Sequence, residues 1–203
     1  MRKTTVVTAF LCAAGLLAAG CARVSEVETV TPERPSRMLI ADFDAGGPPN
    51  MLGGDYGAWD KDPEDETQSA EIFFEEEKRM GDTGYSLGVK YDVDSPNPAF
   101  NGFWMSLAGS DFSDYDYLVI SVKGDSEKGF TNRFKVELKN DAGQTGTYMV
   151  SGVTDEWQEI EIPLNMVRGI RDFSVMEEFV IVFEDAVASP KEGVIYIDNI
   201  CVR

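Results

Sequence analysis

Histidine is absent from the 203 residues. Without it there is no Ser-His-Asp or Cys-His relay and none of the usual zinc sites, so catalysis would fall to carboxylates, lysine, tyrosine or a hard metal ion. Basic residues are scarce: 18 Lys and Arg stand against 36 Asp and Glu, a net charge of −18. A surface of that sign repels phosphate backbones, whose binding needs cationic side chains to displace counterions. Nucleic acid is therefore excluded as a partner, and so is a polybasic dock on a membrane. Neutral glycans and cations remain compatible with it. Helical periodicity is nearly missing and no internal repeat is visible. The one long apolar run without a charge spans residues 4–20.

Arg2 and Lys3 precede that run, and it ends in LAAGC at 17–21. A charged start, an apolar middle and small residues before a cut read as a secretory signal. The run is short for a membrane span of about 20 residues. The segment resembles a bacterial lipoprotein signal, with Ala18 where the pattern carries leucine. That resemblance implies cleavage before Cys21 and a lipid on Cys21. With Ala22 rather than Asp behind the cysteine, it further implies the outer membrane of a Gram-negative cell envelope. Residues 1–21 are thus expected to be signal. Residues 22–37, polar with Pro32 and Pro35, are expected to be a flexible tether. Residues 38–203 are expected to form one domain, long enough for a sizeable core. The cysteines are Cys12, Cys21 and Cys201. Cys12 leaves with the signal and Cys21 carries lipid, so Cys201 has no disulfide partner, and its place in an apolar strand gives it a packing role.

The domain is organised around DFSDYDYLVISVKGD at 111–125. Turn residues open it, Leu118, Ile120 and Val122 alternate onto one face, and Lys123-Gly124-Asp125 closes it, which is a strand with one face for a core. Similar runs recur at 38–43, 71–77, 103–107, 133–139, 145–150, 157–162 and 194–202. The cleanest alternation is at 85–93, with Tyr85, Leu87, Val89, Tyr91 and Val93 on one face. Residues 179–183 are apolar on both faces and suit a central strand. Residues 44–68, rich in Gly, Pro and Asp, read as a long loop carrying Tyr56 and Trp59, and 164–175 has room for one helical turn. About ten short strands separated by turns point to an all-β sandwich or jelly roll.

ADFD at 41–44, FSDYDYLVISVKGD at 112–125, WQEIEIPL at 157–164 and GVIYIDNICV at 193–202 follow one another in the order seen in family 11 carbohydrate-binding modules. The related complex I intermediate-associated domain is similar, and both are galactose-binding-like jelly rolls. The resemblance covers residues 38–202. It implies a glycan partner, a β-glucan chain held by stacking aromatics and by charged groups that bond the hydroxyls. It places Tyr56 at the family's loop tyrosine, Phe103 at its strand tyrosine, and Arg171 and Asp172 at its Arg-x-Asp-Tyr run, with Phe173 in place of the last Tyr. In galactose-binding-like modules the first and last strands lie together, and acidic residues there hold a structural calcium. The resemblance so implies calcium at Asp42, Asp44 and Asp198, a set of hard oxygen donors.

The residues themselves leave alternatives. Tyr56 and Trp59 either stack on sugar or anchor their loop to the sandwich. If Phe103 and Met105 face the core, Trp104 faces the groove or the second sheet. Arg133 and Lys135 either line a groove or form a solvated strand face. Three functions follow. The first is non-catalytic polysaccharide binding by a membrane-tethered lipoprotein, with Tyr56, Trp59, Phe103, Trp104, Arg171 and Asp172 in the groove. The second is a structural or assembly role in the cell envelope with a protein partner. The third, a glycoside hydrolase, needs two carboxylates about 5–10 Å apart across a cleft, and the resemblance is to a binding module.

Overall fold

The computed structural model describes residues 36–203. The signal, Cys21 and most of the 22–37 tether lie outside the described residues. Eleven strands follow in chain order: β1 Met38–Ala41, β2 Tyr56–Asp60, β3 Ser69–Glu75, β4 Ser86–Asp92, β5 Phe100–Ser110, β6 Tyr117–Gly124, β7 Arg133–Asn140, β8 Thr145–Ser151, β9 Gln158–Pro163, β10 Met176–Glu184 and β11 Glu192–Val202. A single 3₁₀ turn at Leu164–Met166 is the helical element among the described residues.

All neighbouring strands pair antiparallel, in two sheets. The first runs β3-β4-β11-β6-β9, and the second runs β2-β5-β10-β7-β8. β1 adds to the first sheet against the end of β11, with Met38 opposite Val202. The register of β11 shifts between Asp198 and Cys201, where Asn199 takes a positive φ of 40°. That bulge lets β4 border the first half of β11 and β1 the second. The two sheets face each other as a jelly-roll sandwich.

Alternation explains the core. Leu118, Ile120 and Val122 of β6 meet Phe103, Met105 and Leu107 of β5 and Phe179, Ile181 and Phe183 of β10, all at or near zero exposure. Each such side chain contributes about 1.5–3 kcal/mol on burial. Tyr91 of β4 stacks on Phe183 with ring centres 4.0 Å apart. Its hydroxyl donates to Pro190 O at 3.1 Å and accepts from Thr131 N at 2.6 Å, so its polar tip is satisfied inside the core. Cys201 is buried and unpaired.

The long loop expected over 44–68 is interrupted by β2. YGAWD alternates with Tyr56 inward and Trp59 outward, and it joins the edge of the second sheet beside β5. The doubly apolar run at 179–183 lies in β10, the middle strand of that sheet.

Candidate functional site

The outer face of the second sheet carries a groove of about 590 Å³. Four strands build it, each contributing the residues that alternation turns away from the core. Trp59 comes from β2, Phe100 and Trp104 from β5, Val180 and Val182 with Glu178 and Glu184 from β10, and Lys135, Glu137 and Lys139 from β7. Register brings them together. Trp104 lies opposite Gly57 on one side and Val180 on the other, and Trp59 lies opposite Gly102, which faces Val182. The two indoles are thus diagonal neighbours on one face, a spacing of about 7–8 Å between backbones.

Two glycines shape this floor. A side-chain carbon at Gly57 would come within 3.2 Å of Trp104 Nε1, so the indole lies across a bare backbone. Gly102 has φ +155°, and a side-chain carbon there would meet Ile181 O at 2.1 Å. Only glycine lets β5 and β10 approach this closely. Trp59 packs against Phe100 at 6.0 Å between ring centres, inclined by 60°, and Lys61 Nζ sits 5.1 Å from the Phe100 ring centre.

The opposite wall is charged and internally paired. Lys135 reaches Glu137 at 3.0 Å and Glu184 at 2.5 Å, and Lys139 pairs with Glu178. Burial lowers the affinity of the Lys135 amine for its proton, but hydrogen bonds to Glu184 and Glu137 outweigh that and raise its pKa. The wall therefore offers fixed ammonium and carboxylate groups beside two aromatic faces.

Several residues expected in the site lie elsewhere. Tyr56 is in the core, packed edge-on against Phe43 at 5.5 Å and tilted against Phe103 at 5.9 Å. Burial, then Asp55 and Asp42, push its hydroxyl up to about 12. Phe103 is fully buried between Phe43, Tyr56 and Phe179. Both corrections have the same cause: each side chain sits at an inward position of its strand, one residue from an outward tryptophan or glycine.

Arg171 and Asp172 do not line the groove either. The segment after Pro163 packs Val167 and Ile170 over Gly146 of β8, and the pairing of Arg168 with Thr147 holds it there. This delivers Arg171 to a separate depression of about 490 Å³ with Tyr115, Tyr117, Asn165 and Phe173. Asp172 Oδ1 accepts from Ser174 Oγ and N at 2.7 and 3.0 Å, which holds its carboxyl below the usual range. Trp59 and Trp104 are the two expected residues that the structure brings to the groove. Lys135, weighed in the sequence between groove and solvated face, lines it too. Phe100, Glu137, Lys139, Glu178 and Glu184 were missed, although the strict alternation RFKVELK at 133–139 was a signal for two of them.

Asp42, Asp44 and Asp198 lie near enough to influence one another. Burial, and then the charges of Asp44 and Asp42, lift the Asp198 carboxyl to about 6 against the N–H groups of Met80 and Asn199. Those N–H groups donate to Oδ2 at 3.0 Å and Oδ1 at 2.8 Å, so both oxygens are already engaged. Among the described residues no three acidic, cysteine or histidine side chains are gathered to hold a metal ion. The trio does not fit the expected calcium cage.

Asp198 instead makes stability depend on pH. Its folded pKa near 6 exceeds the unfolded value of about 3.9, so the protonated form favours the fold. That contribution is full below about pH 4 and is lost as pH rises through 6, a change of roughly 2–3 kcal/mol. Urea melts across this window should show the decline, and Asp198→Asn should flatten it. An unchanged slope in the variant would refute the assignment.

Comparison with known proteins agrees with this architecture. No curated protein matches the chain significantly. Among solved structures, the family 11 carbohydrate-binding module of a cellulosomal cellulase of Clostridium thermocellum superposes with a TM-score of 0.59 at 18% identity, covering 82% of this chain and 93% of that one. The family 11 module from Clostridium thermocellum in complex with a β-1,3-1,4-mixed-linked tetrasaccharide gives 0.59 at 17% identity over 82% and 94%. An exo-β-agarase gives 0.56 at 12% identity, over 81% of this chain and 25% of its own. At these identities the likeness establishes the fold. The model of the family described as carbohydrate binding domain 30 matches residues 50–203. That span runs from before β2 to the end of β11 and takes in every strand of the groove, so the chain belongs to the carbohydrate binding domain 30 family.

Proposed function

We propose that this chain binds a neutral polysaccharide of the β-glucan type without catalysing its cleavage, along the groove of the second sheet. One observation carries the reading: Trp59 and Trp104 lie diagonally adjacent on one sheet face, opposite a wall of ion-paired Lys and Glu. Flat aromatics supply the apolar faces that pyranose rings stack on. The paired charges supply directional donors and acceptors for hydroxyls, already held in place by each other. Three glutamates against two lysines in the lining, within a chain of charge −18, favour an uncharged polymer over a polyuronate. Membership of a carbohydrate-binding family supports the reading, as does the fold shared with a module in complex with a mixed-linked tetrasaccharide.

Calorimetric titration with mixed-linkage β-glucan, and with polygalacturonate as the charged control, tests it. Binding to the neutral polymer alone is the expected result. Equal binding to the polyuronate would overturn the charge argument. No glycan binding together with a stoichiometric protein partner would replace the whole reading by the assembly role.

The same proposal places the module at the outer membrane, tethered through a lipid on Cys21. The LAAGC pattern at 17–21 supports it. Cys21→Ser is expected to release the protein from the membrane fraction, and retention there would sink the tether.

A further inference from the structure

At one corner of the sandwich, β2 ends, β5 begins and β3 meets the end of β4. Asp60 and Asn101 are register partners there, so their side chains lie side by side on the face opposite Trp59. The Asp60 carboxylate takes a hydrogen bond from the backbone of Ala70 in β3. The Asn101 amide nitrogen donates to Asp92 O at 2.7 Å. Asp92 is the register partner of Ser69, and Gln68 is the next residue, with Nε2 donating to Asp65 Oδ2 at 3.1 Å. Each amide nitrogen thus has an acceptor, which fixes the way both amides point.

Three oxygens remain. Asp60 Oδ1, Asn101 Oδ1 and Gln68 Oε1 are all shut off from solvent, and none finds a donor within the protein. Asn101 is fully buried and Gln68 is 6% exposed. Buried acceptors are rarely left unpaired, and a group of them calls for water or an ion. Burial holds the Asp60 carboxyl above its ordinary range, with only the Ala70 backbone opposing. One carboxylate and two amide oxygens, without nitrogen or sulfur, match a hard cation and not zinc.

We propose that Asp60, Asn101 and Gln68 hold a calcium ion at this corner, completed by backbone carbonyls and water. The site is separate from Asp42, Asp44 and Asp198. A single carboxylate sets its dissociation constant on the weak side, about 10⁻⁴–10⁻³ M, in the range of extracellular modules. The ion ties the edge strand β2 to β5 and to the start of β3, and Asp60 adjoins Trp59, so calcium also braces one wall of the groove.

The purified chain, stripped with chelator, is melted with and without about 10 mM calcium. Its melting temperature is expected to rise by about 3–10 °C. Terbium bound at the corner should luminesce on excitation of tryptophan, since Trp59 is next to Asp60, and calcium should quench that signal by displacement. Asp60→Asn removes both responses and Asp198→Asn keeps both. If Asp60→Asn does not fold, Gln68→Ala carries the same test. No calcium-dependent rise and no terbium signal in the wild type would mean that water fills the corner, and the proposal falls. It also falls if the responses survive in Asp60→Asn or vanish in Asp198→Asn.

Discussion

Trp104→Ala is expected to weaken β-glucan binding by roughly 30-fold or more, about 2 kcal/mol, with little change in melting temperature. The indole lies on the groove over the bare backbone of Gly57, so its loss removes a stacking face without opening the core. Trp59→Ala should behave alike, with a modest stability cost from the lost Phe100 contact. The control is one residue away. Phe103→Ala should cost about 3–5 kcal/mol of stability, because that ring is enclosed by Phe43, Tyr56 and Phe179. Any binding it loses should track the unfolded fraction. Titration and thermal melts of both variants separate the two cases, and unchanged affinity in Trp104→Ala would remove the groove as the binding site.

Asp125→Ala is expected to destabilise the fold by about 3 kcal/mol, lowering the melting temperature by roughly 6–12 °C. Asp125 is buried at the end of β6, where Tyr196 OH donates to Oδ2 at 2.7 Å, and the N–H groups of Glu127 and Lys128 donate to Oδ1 at 3.0 and 3.1 Å. Lys78 stands 3.5 Å away. Burial alone would raise its pKa, but the hydroxyl and the two backbone donors, with Lys78, overcome that and hold it at about 2. Alanine would leave the Tyr196 hydroxyl inside the protein without its acceptor. The linkage runs opposite to that of Asp198. The folded pKa lies below the unfolded value of about 3.9, so this contribution is present above pH 4 and lost as pH falls toward 2. Stability should therefore peak near pH 4 to 5, falling on the acid side through Asp125 and on the neutral side through Asp198. An acid limb that persists unchanged in Asp125→Ala would contradict this account.

Much of the core was legible because alternation is a local property. The run 117–122 could be read as a strand with Leu118, Ile120 and Val122 inward from six residues alone. The groove was harder, since it depends on which strands are neighbours. Nothing near Trp59 in the chain says that Gly102 and Val182 lie beside it; long-range register decides that. β2 was hidden because its glycine and the Gly-Asp surroundings mimic a loop, so Tyr56 was read as a loop aromatic when its parity in the strand turns it inward. Phe103 and the pair Arg171 and Asp172 were placed by likeness to short family segments. Such segments report the strand or loop that a residue occupies, and not which wall of the sandwich that element faces. The apolar parity of Val180 and Val182 was visible, and its meaning became clear only with Trp104 across from it. Asp42 and Asp44 act on Asp198 through their charges, and the engagement of Asp198 by two backbone donors was beyond any sequence pattern.

The side-by-side entry and exit of the chain has a mechanical consequence. Met38 faces Val202, and three residue pairs join β1 to β11. A force pulling the two ends apart loads those pairs one after another, as a zip opens, and not together in shear. β11 is better held, since Arg203 O accepts from both Asp116 N and Tyr117 N at 2.9 Å and β4 and β6 flank the strand. The first strand is therefore the element that yields, peeling away while the opposite sheet and its two tryptophans keep their arrangement under tension.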